Sequence, residues 1–266
     1  YYGDETGSPG SIITFFYWPG HEARGRVGAG QATAIVFSAP ADSLSFWQNR
    51  LQARHVTSEI RTRFGEEVLA FADPDGIPIE IVAVANDSRT GWLGNGVDAA
   101  HALRGMHTAE LSVRLGANTE KLITASMDYR LVKREGNRTR FESAAGGGSG
   151  HYIDLIASSD LAPGVGGAGT VHHIAFSVPD DATELTMQNR LHAAGYHVSD
   201  VRDRQYFNSI YYREPGGILF EIATATPGFP VDESVESLGT ALKLPVQFER
   251  ARAQIEKLLP PISVTR

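Results

Sequence analysis

The chain has 266 residues, no cysteine and a formal net charge of −7. The length suits one large domain or two small ones with a buried core, and the lack of cysteine excludes disulfides, thiolate nucleophiles and Cys-ligated zinc or iron–sulfur sites. Lys and Arg are scattered and form no block, so nucleic acid and anionic membranes are not expected partners. Apolar runs such as "IEIVAVA" fall far short of a membrane span, and a reducing cytoplasm is the expected compartment.

The chain opens on "YYGDETGSPGSIITFFYWPG", two tyrosines leading through a Gly/Pro turn into an apolar, aromatic run. "TAIVFS" is a short β-rich run ended by Pro40 and predicts a strand. "ADSLSFWQNRL" carries apolar residues at helical spacing, and after two further strands "DPDGIPIEI" closes on Glu-Ile behind a turn. Beyond a linker at 96–104, "MHTAELSVR", "TEKLITASM", "YRLVKRE", "RTRFESA" and "HYIDLIA" predict strand, helix and three strands, with "AAGGGSG" a hairpin loop between the last two. "GVGGAG" at 164–169 matches G-x-G-x-x-G, but it precedes a strand and opens no helix, so it predicts a linker and not a dinucleotide site. "HHIAFS" is again a strand, "DATELTMQNRLHAAG" a helix stopped at Gly195, and "YYREPGGILFEIAT" a hairpin. "FERARAQIEKLL" reads as an amphipathic helix, expected to pack on the rest.

These elements repeat. "GAGQATAIVFSAP" aligns with "GAGTVHHIAFSVP", "QNRL" at 48–51 with "QNRL" at 188–191, and "DPDGIPIEI" with "EPGGILFEI", in the same order at nearly constant offset. The unit is βαβββ, and Met106 to Ala157 supplies a further, more divergent copy. Placing Tyr1-Tyr2 on Tyr211-Tyr212 makes the opening stretch the last hairpin of a fourth copy, with roughly forty residues of that copy expected ahead of Tyr1. The expected fold is α+β: tandem βαβββ modules forming two curved half-barrel domains. Residues 1–95 would hold an incomplete module one with module two, 105–230 modules three and four, and 231–266 a tail with a helix.

The chemistry concentrates in module four. His172 and His173 sit on its first strand and Glu221 on its last. Side chains alternate along a strand, so only one of the two histidines can share a face with the carboxylate. Module two keeps the acid as Glu80 but has Thr33 and Ala34 in place of His-His, so the scaffold does not require histidine there. Imidazole and carboxylate donors with open positions suit non-heme Fe(II).

The modules, the "VHHIAFSVPD" strand and the "YYREPGGILFEIAT" hairpin resemble the vicinal oxygen chelate (glyoxalase/extradiol dioxygenase) superfamily. Within it they resemble the ring-cleaving hydroquinone dioxygenases, along essentially the whole chain. The resemblance implies His173 and Glu221 as ligands of Fe(II) or Mn(II), with a further histidine on the first strand of module one. It implies His172, Arg204 and Tyr211 as the groups around the substrate. Arg204 would stabilise developing negative charge, and Tyr211 and His172 would orient hydroxyls or move a proton. Iron is expected to bind weakly to the chain as it stands and to support little turnover, and restoring the preceding residues is expected to correct both.

The implied partners are a small aromatic substrate and O2, with self-association left open. A glyoxalase-type metal-dependent isomerase or lyase and a non-catalytic small-molecule binding module of the same fold are the alternatives.

Overall fold

The computed structural model describes residues 1–16 and 24–260; the "YWPG" end of the opening stretch and residues 261–266 lie outside them. Module two comprises β1 (Gln31–Pro40), α1 (Leu44–Gln52), β2 (Glu59–Arg63), β3 (Glu66–Ala72) and β4 (Pro78–Val84). Module three follows as β5 (Met106–Val113), α2 (Ala117–Ala125), β6 (Tyr129–Glu135), β7 (Arg138–Ser143) and β8 (Tyr152–Ala157). Module four is β9 (Ile174–Val178), α3 (Asp181–Ala193), β10 (Arg202–Asp203), β11 (Phe207–Arg213) and β12 (Leu219–Pro227). In the tail, a 3-10 turn over Val246–Ala251 leads into α4 (Arg252–Leu258).

Local chemistry accounts for these boundaries. The Asp180 side chain caps α3 by accepting the Thr183 backbone N–H at 2.8 Å, with acids in the first turn and Arg190 and His192 in the last. Gly195 then ends the helix at φ 88°. The two D/E-P-x-G turns need a left-handed residue, supplied by Gly76 (φ 94°) and Gly217 (φ 102°).

Each module lays its strands in the same order, with its first strand parallel to its last: β2-β3-β4-β1, β6-β7-β8-β5 and β10-β11-β12-β9. Modules two and three then fuse, because β1 and β5 pair antiparallel and give one eight-stranded sheet. The far edges of this sheet curl toward each other, with Lys133 Nζ on β6 donating to Phe64 O at 3.1 Å. Module four keeps its own four-stranded sheet.

This corrects the expected grouping, in which module one pairs with two and three with four. The continuous sheet crosses the 96–104 linker, since antiparallel pairing covers two edges that would otherwise carry unpaired backbone groups. Modules three and four do meet, but through a core. Leu122 and Ile123 of α2, Leu191 of α3, and Leu111, Phe141, Ile210, Tyr212, Phe220 and Ile222 from the strands form one buried cluster. The module-one hairpin, closed by the antiparallel Tyr2–Ile13 bridge, packs on module four: Tyr1 touches Tyr206, Phe207 and Phe229.

The stretch carrying "GVGGAG" is a linker, as expected, and it pairs with residues ahead of β1 through bridges Arg24–Ala168, Arg26–Val165 and Ala29–Pro163. Glycine is required at position 28, where a Cβ would stand 2.5 Å from Ala162 O. The tail helix departs from expectation. None of the residues in Val246–Ala251 or α4 is buried, and Val246 and Leu258 are each 84% exposed.

Candidate metal and substrate site

On β12, Phe220 and Ile222 turn toward the core and Glu221 to the opposite face, as the two-residue period requires. Because β9 lies parallel to β12 with Ala175 opposite Glu221, His173, immediately ahead of β9, comes beside the carboxylate. His173 Nε2 lies 2.7 Å from Glu221 Oε2, both largely buried at 18% and 5% side-chain exposure. They line an open cleft of about 1460 Å³ together with His172, Thr170, Tyr206 and Phe207. Two residues 48 positions apart thus share one point, as the sequence expects.

The groups around this pair are ordered by hydrogen bonds. Tyr211, directly opposite Glu221 across the β11–β12 ladder, donates its hydroxyl to Glu221 Oε1 at 2.7 Å. Ser209 Oγ donates to the same phenol oxygen at 3.1 Å, and Arg204 Nη2 at 3.4 Å. The Arg204 guanidinium also lies over the Tyr211 ring, 5.5 Å from its centre. The Nδ1 atoms of His172 and His173 are 2.8 Å apart, leaving His173 Nε2 directed at the carboxylate. All five sequence-expected residues are therefore brought together.

Protonation follows from these contacts. Burial pushes the Glu221 carboxyl up, but the hydrogen bonds from His173 and Tyr211 more than offset it and hold it below the ordinary range. Burial, with the neighbouring His173 and Arg213 charges, lowers His172. Burial and the carboxylate of Glu221 raise the Tyr211 phenol against the opposing bond from Ser209. Arg204 is raised by its bond to Tyr211.

The donors suit a divalent ion. An imidazole nitrogen and an ionised carboxylate oxygen converge at a cleft wall, and each has its other polar atom engaged. Among the described residues no group of three or more His, Cys, Asp or Glu side chains is arranged to hold a metal, so His173 and Glu221 are the two donors this site offers.

Two features escape the sequence reading. Phe16 stands against His172 and His173, with ring centres at 5.5 and 6.3 Å; only the hairpin alignment points to it. Glu184 on α3 is 1% exposed, and its Oε1 has no hydrogen-bond partner. Burial, then the charges of Asp181 and Glu221, push its carboxyl up to about 7. Aligning Gln188 on Gln48 puts Glu184 where module two has the buried Leu44, a contrast the sequence does contain.

Fold and site define a two-sheet, module-repeat protein with a His/Glu pair at its cleft, and the chain belongs to the glyoxalase/bleomycin resistance protein/dioxygenase superfamily, whose family model matches residues 113–222. It is 42% identical to a protein of Bacillus subtilis (strain 168) named as a ring-cleaving dioxygenase, MhqO, over 99% of this chain and 83% of that one. It is 36% identical to the chlorohydroquinone/hydroquinone 1,2-dioxygenase of Sphingobium indicum, over 96% of this chain and 81% of that one. A crystal structure of a Bacillus subtilis protein described as a dioxygenase superposes with a TM-score of 0.94 at 41% identity, covering 99% of this chain and 84% of the other. No helix among the described residues is long and apolar enough to cross a membrane.

Proposed function

We propose that this protein is an Fe(II)-dependent ring-cleaving dioxygenase acting on a hydroquinone-like aromatic, with both atoms of O2 entering the ring-opened product. What carries this reading is the 2.7 Å convergence of His173 Nε2 and Glu221 Oε2 at the cleft, in a chain whose relatives over nearly its full length are named as a ring-cleaving dioxygenase and a hydroquinone 1,2-dioxygenase. His173 and Glu221 would hold the ion, and Mn(II) suits the same donors. When bound, such an ion supplies the Lewis-acid and redox chemistry that lets O2 and a phenolic hydroxyl react side by side.

The protein's own groups do the rest. Tyr211, held by Glu221 and Ser209, presents a phenol oxygen that a substrate hydroxyl can bond in place of the long 3.4 Å contact from Arg204. Arg204 places a fixed positive charge beside that point, to favour negative charge developing on substrate oxygen. His172, whose pKa is lowered by burial, can take or return a proton at a ring nitrogen.

The test is oxygen uptake by the purified full-length protein with hydroquinone and added Fe(II). Equal consumption of O2 and hydroquinone is expected, with none above background in His173→Ala. Hydroquinone left unconsumed by a metal-loaded protein would overturn the reading.

A further inference from the structure

The hairpin that opens the chain places an aromatic ring at the site. Tyr2 and Ile13 are bridged antiparallel, and the chain beyond Ile13 carries Phe15 and Phe16 along the cleft that holds Glu221. Phe15 packs edge-on against Tyr2 at 5.5 Å. Phe16 stands beside His172 and His173, with ring centres at 5.5 and 6.3 Å. The Tyr1 ring packs on Tyr206, Phe207 and Phe229.

The scaffold does not ask for a ring at position 16. Setting the Tyr2–Ile13 bridge on the Tyr212–Phe220 pair of module four puts Phe16 on Ala223, with Val82 and Ile156 at the same place in modules two and three. These residues are aliphatic. Phe16 is also 52% exposed while it lines the cleft. Exposed aromatic surface of this kind is stabilised by whatever flat apolar group covers it.

We propose that Phe16 is the wall on which the substrate's ring stacks, making the hairpin the element that selects a planar dihydroxybenzene over a non-aromatic diol of the same hydroxyl spacing. The inference rests on the ring-cleaving reading above and names its specificity residue.

The experiment measures binding, not turnover: equilibrium dialysis under argon, at one fixed Mn(II) concentration, of hydroquinone and of 1,4-cyclohexanediol. Phe16→Leu should weaken hydroquinone about three- to tenfold, the range of an aromatic pair contact, and leave cyclohexanediol unchanged. Phe16→Tyr should restore hydroquinone binding, and Tyr2→Leu, which alters the hairpin at a residue that packs on Phe15 outside the cleft lining, should match wild type. Wild-type hydroquinone affinity in Phe16→Leu overturns the inference alone. So does an equal loss in Tyr2→Leu, because hairpin stability and not the Phe16 ring would then carry binding. A wild-type protein that binds no hydroquinone overturns the ring-cleaving reading and this inference with it.

Discussion

The fused half of the molecule and module four use one structural position in opposite ways. In modules two, three and four the last strand carries an acid on the face away from the core: Glu80, Asp154 and Glu221. In module four the residue opposite that acid is Tyr211, and the carboxylate is shared with His173 at an open cleft. In module three it is Arg140, which grips Asp154 through two bonds of 2.7 and 2.8 Å and reaches Glu66 at 2.7 Å, sandwiched between the rings of Phe64 and Tyr152. In module two it is Ala70, and the vacancy is taken by Arg63, which pairs Glu80 and also Glu110, itself held by Arg138 at 2.7 Å. The space left inside this network is about 10 Å³, barely one water. A fixed cation satisfies the acids where the sheet is filled; imidazole and phenol leave an acid able to take an external one. The duplicated fold is thus a plugged half beside an open half, and the identity of the side chain facing the acid separates them.

The comparison breaks most sharply at the acids. In the full-length protein, Glu221→Ala should lose bound Fe(II) on dialysis and oxygen uptake with it, a larger loss than the 10- to 100-fold typical of outer partners. Glu80→Ala should keep both per folded molecule. Elemental analysis of the dialysed proteins decides it, and equal metal loss in Glu80→Ala would show that the filled half takes part in ion binding.

The next effect is on stability. Arg140→Met leaves Asp154, whose carboxyl burial already raises, without its counter-ion. The expected cost is about 3–5 kcal/mol in urea unfolding. A cost below about 1 kcal/mol would mean that the network does not hold the sheet closed.

The smallest effect concerns Glu184, which sits in module four where module two has Leu44. Its folded carboxyl titrates near 7, above its ordinary value of 4.5. The protonated form therefore favours the folded state, and that contribution is complete below about pH 4.5 and fades as pH rises through 7. Glu184→Leu should be more stable than wild type by about 1–3 kcal/mol at pH 8, with the gap shrinking toward pH 5. A gap that does not change between the two pH values in urea titrations would show that Glu184 is ionised or partnered throughout.

Much of this was legible in the residues. The repeat fixed the order of elements, including the divergent module three, because each unit must present the same two-residue and helical periods to build the same layer. The contrast of Thr33-Ala34 with His172-His173 singled out the open half. Pairing between modules was not legible: it depends on which sheet edges meet, and local periodicity carries no signal for that. Nor was the plug. Arg138, Arg140 and Glu142 alternate along β7 as surface charges would, yet they point into the curled sheet, since each has a partner there or nearby. The tail helix failed for the converse reason, because an apolar stripe at helical spacing does not say that anything covers it.

The seam between the segment entering module two and the segment entering module four marks where this chain resists re-engineering. Residues 24–29 and 163–168 are joined mainly backbone to backbone, with Gly28 leaving no room for a side chain against Ala162. Modules that look interchangeable on paper are therefore not free cassettes. Swapping module four for a homologous unit or inserting a tag at 164–169 would leave every strand and the shared core intact while removing the backbone pairings of this seam.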